Sequence, residues 1–138
     1  MKSGEIVVSK RVFRQYERLV KDMEHHDKYI FDKDKANHPI EFIERFCRHS
    51  KGKWAGQPIE LELFQKAYIS ALFGFVDKEG FRRFKESMFY VARKNGKSTM
   101  LAGIALYMFI ADNEGGAEIY SIASKRDQAT ILFDKPTI

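Results

Sequence analysis

At residue 92 the chain changes the period of its hydrophobic pattern. Met88, Phe89, Tyr90 and Val91 form an uninterrupted apolar run that closes the stretch Lys85–Val91. Such a run suits a strand buried on both faces. Arg93–Gly96 is polar and turn-like, and Lys97–Asp112 is apolar on most sides and long enough for a buried helix. Gly115–Gly116 breaks that helix, Glu118–Ala123 reads as a second short strand, and Arg126–Phe133 as a further helical start. Strand, loop, helix, strand is the parallel βαβ unit, so this half of the chain is predicted to be α/β.

The turn inside that unit reads Ala92-Arg93-Lys94-Asn95-Gly96-Lys97-Ser98-Thr99. Gly-Lys-Ser between a strand and a helix is the chemistry of a phosphate-binding loop. Gly96 lets the backbone turn tightly, so that successive amides point at phosphate oxygens. Lys97 reaches the β and γ phosphates as a cation, and the Ser98 hydroxyl is placed to coordinate magnesium. The helix starting at Lys97 adds the partial positive charge of its N-terminus. The usual pattern has a glycine five residues before the Gly-Lys pair, where this chain has Val91. The alternative is a basic loop capping a core helix, with Ser98 as an ordinary first-turn residue. The flanking strand and helix favour the phosphate loop.

Tyr107–Asp112, followed by Glu114, imitates the apolar-then-acidic strand that holds magnesium in such ATPases. It directly follows the loop, where a crossover helix has to return the chain to a parallel strand. Asp112 and Glu114 are therefore predicted to be a solvated helix end.

The N-terminal half is predicted to be helical. Val12, Phe13, Tyr16, Leu19, Val20 and Met23 mark one helical face after Ser9, a fitting N-cap, with Arg14, Glu17, Arg18 and Lys21 on the solvated side. A second helix is predicted at about Pro39–Arg48, with Pro39 in its first turn and Ile40, Ile43, Phe46 and Cys47 facing inward. Ser50–Pro58 reads as an irregular connection around Trp54. A third helix is predicted at about Glu62–Phe73, stopping at Gly74, and Asp77–Gly80 as a turn. The division is a helical segment, 1–50, and the beginning of an ATPase domain, 51–138.

With 138 residues, 44% hydrophobic and 31% charged, the chain can build one modest core and is not of disordered type. The net charge of +5 permits a phosphate-rich partner without demanding one. Cys47 has no second cysteine to pair with, which favours a reducing compartment. Met1–Lys10 lacks the apolar stretch of a secretion signal, and the longest apolar run, Met100–Ala111, is too short to cross a bilayer. A soluble intracellular protein without a membrane partner is expected. His25, His26, His38 and His49 do not combine with Cys47 into a metal-ligand spacing. The basic run Arg48–Lys53 could touch DNA phosphates, but a solvated linker is the better default.

Three blocks in order resemble the start of a tailed-bacteriophage (or prophage) terminase large subunit. Ala92-Arg93-Lys94-Asn95-Gly96-Lys97-Ser98 is similar to that family's deviant Walker A motif. Trp54-Ala55-Gly56-Gln57-Pro58, running into Leu63-Phe64-Gln65 and on to Leu72-Phe73-Gly74, resembles its adenine-recognition segment. Ser121-Ile122-Ala123-Ser124 with Arg126-Asp127-Gln128-Ala129 looks like its next strand and helix.

The resemblance implies a helical N-terminal lead followed by the first βαβ of a P-loop NTPase parallel sheet. It implies ATP and Mg2+ as cofactors, bound through Gln65 at the adenine edge and through Ala92, Arg93, Lys94, Asn95, Gly96, Lys97, Ser98 and Thr99 around the phosphates, with Ser98 on magnesium. Arg93 resembles the loop arginine proposed in some terminases to stabilise charge on the γ-phosphate, whereas other members take it from a neighbouring subunit. The implied function is packaging of viral DNA into procapsids in the bacterial host cytoplasm. The implied partners are double-stranded viral DNA, the small subunit, the portal and further large-subunit copies.

A full large subunit continues into an acidic Walker B strand and a nuclease domain, and this chain is expected to be truncated: a fragment, a split-gene product or a remnant. Alone it is expected to hydrolyse ATP poorly or not at all. The alternatives are another P-loop enzyme, such as a helicase-like motor or a kinase, and a non-enzymatic interaction protein.

Overall fold

A computed structural model of the protein describes residues 8–25, 28–50, 52–122 and 136–137. Local signals set most of its helices. α1 runs Lys10–Glu24, capped as expected by Ser9, whose Oγ accepts the Val12 amide at 3.3 Å. No residue of α1 is buried; its apolar face lies half exposed against the rest of the chain. An ion pair between Asp22 and Arg83 (2.8 Å) ties α1 down, and the Arg83 guanidinium also lies over the rings of Tyr29, Phe75 and Phe84.

α2 corrects the predicted boundary. It spans Lys33–Phe46, because the Asp32 carboxylate caps it by accepting the amides of Asp34 and Lys35 at 2.9 and 3.0 Å. Pro39 is therefore inside the helix rather than in its first turn. An interior proline costs about 3 kcal/mol in an isolated helix. Here it is fully buried together with Ala36, Ile40 and Ile43, so tertiary packing overrides the local penalty. Ile40, Ile43 and the C-cap Cys47 face inward as predicted, but Phe46 points out and is 48% exposed.

The segment after α2 closes on itself. β2, Arg48–His49, bridges Pro58, and the His49 amide donates to the Gln57 carbonyl at 2.9 Å around a short 3-10 turn at Gly52–Trp54. α3 covers Leu63–Gly74 and α4 covers Lys97–Ile110. Gly74 does not end α3 through a left-handed cap. It is needed for close packing, because a Cβ there would meet Phe31 Cε2 at 2.5 Å and Ala36 Cβ at 2.9 Å. The turn at Asp77–Gly80 forms as expected, with the Asp77 Oδ1 accepting the Phe81 amide at 2.8 Å.

α2 packs along α3 and crosses α4. Between them lie Ile40, Ile43, Cys47, Ile59, Leu61, Ile69, Phe73, Met100, Ile104 and Tyr107. Glu44 and Lys66 join α2 to α3 at 2.9 Å, and Glu44 Oε1 also accepts the Leu61 amide at 2.9 Å. Desolvation works against this carboxylate, but its bonds to Lys66 and Leu61 hold its pKa below the ordinary value.

Mixed helix and strand is the observed class, with ladders differing from the predicted parallel unit. Among the described residues both ladders are antiparallel and two residues long. β1 (Ile30–Phe31) pairs with β3 (Phe75–Val76), and β2 pairs with β4 (Pro136–Thr137). Residues 85–91 and 118–122 lie outside any ladder. Met88, Tyr90 and Ile122, expected inside a sheet, are 75%, 87% and 94% exposed. A strand buried on both faces needs a lateral partner for its amides and layers above and below, and the described residues supply neither to these segments. The predicted helical start at 126–133 lies outside the described residues, as does position 123 of the second predicted strand.

Asp112 is a further correction. It pairs with Arg82, whose guanidinium also covers the Phe73 ring, so the end of α4 is pinned to the segment after β3 rather than solvated. Glu114 is exposed, as expected. Beside this pair the buried Tyr107 hydroxyl meets His38 Nδ1 at 3.1 Å. Burial pushes the Tyr107 hydroxyl up to about 12, with the Asp112 carboxylate adding to the shift and Arg82 opposing it. A raised folded pKa means that the unfolded chain ionises first. Stability is therefore complete below about pH 10 and declines as pH rises towards 12. Ultraviolet titration of wild type minus Tyr107→Phe is expected to show one component ionising near the top of that window. A component near pH 10 would contradict the burial assignment.

Candidate functional site

The loop before α4 is shaped by two left-handed residues. Lys94 has φ 69° and Gly96 φ 68°, with Asn95 between them. Lysine in this region costs roughly 1–2 kcal/mol relative to ordinary backbone, and strain of that kind concentrates at sites where backbone groups have to converge. The Asn95 side chain steadies the turn by donating Nδ2–H to the Ala92 carbonyl at 3.2 Å. Gly96 is the N-cap residue of α4 and makes no side-chain cap bond.

The first-turn amides of α4 are consequently open. Among the described residues, the amides of Gly96, Lys97 and Ser98 donate to no acceptor, and the first helical bond begins with Met100 to the Gly96 carbonyl at 2.9 Å. Lys97 is exposed, and its ammonium forms no ion pair among the described residues. Ala92, Arg93, Lys94 and Asn95 are likewise exposed, while Ser98 and Thr99 are half-buried at the start of the helix. A left-handed turn, first-turn amides without acceptors among the described residues and a helix N-terminus are features that favour an anion.

Gln65 belongs to the same place. Sequence periodicity alone would put it on the outer side of α3, but it is 5% exposed and is the buried polar side chain of the described residues. Its Oε1 accepts the Glu62 amide at 2.9 Å, and its Nε2 donates to the Asn95 carbonyl at 3.2 Å. The start of α3 is thereby fastened to the loop before α4. A Cβ on Gly96 would stand 2.9 Å from Gln65 Nε2, so glycine spares the loop both the left-handed strain and a shift of that side chain.

Two neighbours escaped the sequence reading. Phe89 stacks on Phe64 (ring centroids 6.4 Å, interplanar 7°) and packs against Tyr68 at 4.6 Å. The one-turn spacing of Phe64 and Tyr68 on α3 was the available signal. Arg93 is exposed and forms no ion pair among the described residues. A cleft of about 1280 Å³ between α2, α3, α4 and residues 80–87 is not lined by any residue from 92 to 99. No group of three or more His, Cys, Asp or Glu side chains able to hold a metal gathers among the described residues. Cys47 is free and buried, and burial raises its thiol pKa against the opposing charge of Arg48. No described helix is long and apolar enough to cross a membrane.

Comparison with known proteins matches the sequence to a family. Residues 63–137, from the start of α3 to β4, match the family model described as terminase large subunit, ATPase domain. The chain is 38% identical over 96 residues to the terminase large subunit of Enterobacteria phage HK97, covering 69% of this chain and 18% of that protein. It is 27% identical over 138 residues to the terminase large subunits of Lactococcus phages p2 and SK1, covering 97% of this chain and 25% of each relative. The chain thus spans a quarter or less of the length of these curated relatives. No solved structure matches. More than half of the chain fits the family model, and this protein belongs to the terminase large subunit family, within its ATPase domain.

Proposed function

We propose that residues 92–99 bind the phosphates of ATP with Mg2+, as the nucleotide-binding part of a motor that packages double-stranded viral DNA into procapsids. The observation that carries this reading is that, among the described residues, the amides of Gly96, Lys97 and Ser98 donate to no acceptor and the Lys97 ammonium forms no ion pair. Lys97 neutralises the β and γ phosphates, and the Ser98 hydroxyl is the protein's ligand to magnesium. Gln65 reads the adenine edge while bracing the loop through Asn95, with Phe64 beside it. Arg93 is exposed at the loop and able to reach developing charge on the γ-phosphate. Magnesium, when bound, screens the phosphate charge.

The exposed Met88, Tyr90, Tyr120 and Ile122 are apolar surface that the proposed parallel βαβ sheet would cover. Hydrolysis by this chain alone is proposed to be slow, because a second carboxylate site is needed to place magnesium and water. By the same reading the complete protein works in the bacterial host cytoplasm with the small subunit, the portal and further large-subunit copies.

Thermal unfolding with increasing ATP and Mg2+ tests nucleotide binding. At a ligand concentration of about 100 Kd the folded state should gain about 2.7 kcal/mol, with a matching rise in midpoint. A midpoint indifferent to millimolar nucleotide would leave the loop as a helix cap only.

A further inference from the structure

α1 carries a basic stripe that the nucleotide site does not use. At about 3.6 residues per turn, Lys10, Arg11, Arg14, Arg18 and Lys21 fall within about 100° of the helix circumference. The apolar face of Tyr16, Leu19, Val20 and Met23 lies on the opposite side, facing α2 and α3 across a cavity of about 390 Å³. All five cations are exposed. Among the described residues, Lys21 alone of the five forms an ion pair, with Glu17 at 3.9 Å; Asp22, one turn from Arg18, pairs with Arg83 instead.

Helix stability does not explain this arrangement. The first turn holds Lys10 and Arg11 and no acidic residue, which the helix dipole disfavours. Lys10, Arg14 and Arg18 repeat at four-residue intervals, and Arg11 with Arg14 and Arg18 with Lys21 at three, so like charges stand one turn apart and repel. A row of phosphates relieves that repulsion. Such side chains are about 5–6 Å apart at their roots, close enough together to meet successive phosphates of one duplex strand.

We propose that the exposed stripe of α1 is a duplex-DNA backbone contact, reading phosphate charge and not base sequence. This deepens the packaging reading by naming a surface for its polymer substrate. It places the DNA contact on the helical lead, apart from the nucleotide loop.

The test measures anisotropy of a labelled duplex against salt concentration. Arg11→Gln/Arg14→Gln/Arg18→Gln should weaken binding at least tenfold and flatten the salt slope by about 2–3, given roughly 0.9 per phosphate contact. Lys33→Gln/Lys78→Gln/Lys85→Gln, with the same net charge, should stay within twofold of wild type. Arg11→Lys/Arg14→Lys/Arg18→Lys should keep the wild-type slope, and circular dichroism checks that α1 persists in each. Equal losses in the two glutamine variants would reduce the effect to net charge and overturn the proposal. So would unchanged duplex binding, or loss confined to anionic phospholipid vesicles. The ATP-dependent midpoint, followed on the same proteins, separates the two readings: its absence in wild type with stripe-dependent DNA binding sinks the nucleotide site and spares α1, and the reverse result does the opposite.

Discussion

Lys97→Ala weakens ATP and Mg2+ binding by about 10- to 100-fold, since a hydrogen bond to a charged group is worth roughly 1.5–3 kcal/mol. Its effect on folding is small, because Lys97 is exposed and holds no partner among the described residues. Isothermal titration calorimetry with nucleotide, beside thermal melts without it, separates the two quantities. Gly96→Ala reaches the same site by another route. Alanine at φ 68° costs about 1–2 kcal/mol, and its methyl group meets Gln65 Nε2 at 2.9 Å, so the loop and its brace shift together. Wild-type affinity in both variants would show that anions bind elsewhere, and the assignment of residues 92–99 would be withdrawn.

Ile43→Ala is expected to cost about 2–5 kcal/mol, the range for truncating a buried aliphatic side chain. A domain's whole stability is about 5–15 kcal/mol, so the variant should lose a large share of its folding free energy. Ile43 is fully buried at the crossing of α2 and α4, with its side-chain carbons 3.0–3.2 Å from where a Cβ on Gly103 would lie. Glycine at 103 lets the two helices approach until isoleucine fills the gap, and alanine at 43 leaves a void the backbones cannot close. Phe46→Ala, three residues on, should cost far less because that ring is half exposed. Urea denaturation of both variants measures the contrast. A loss below about 1 kcal/mol for Ile43→Ala would mean that this crossing does not hold the core.

The helices were legible because their signals lie within a turn or two of chain. Ser9 and the spacing from Val12 to Met23 identify α1, and the apolar stretch after Gly96 identifies α4. α2 was misplaced because Pro39 resembles a first-turn residue, whereas the effective signal was the Asp32 cap. The turn into α4 could be read from Gly96, Lys97 and Ser98, and the family, suggested by three ordered blocks, is matched over residues 63–137. The nucleotide roles assigned to individual residues await the measurements above.

Long-range contact was decisive where a residue's environment is made by distant chain. The Glu62 amide holds Gln65 Oε1 within the first turn of α3, but the link to the loop is made by the Asn95 carbonyl, thirty residues away. Asp112 looks solvated until Arg82 folds across the end of α4. The run Met88–Val91 has strand character in isolation, yet a ladder requires a second strand that the run cannot encode. Helical hydrogen bonds close within the segment that makes them, so periodicity and caps suffice to reveal a helix. Sheets and buried polar pairs close between segments, and only the folded arrangement names the partner.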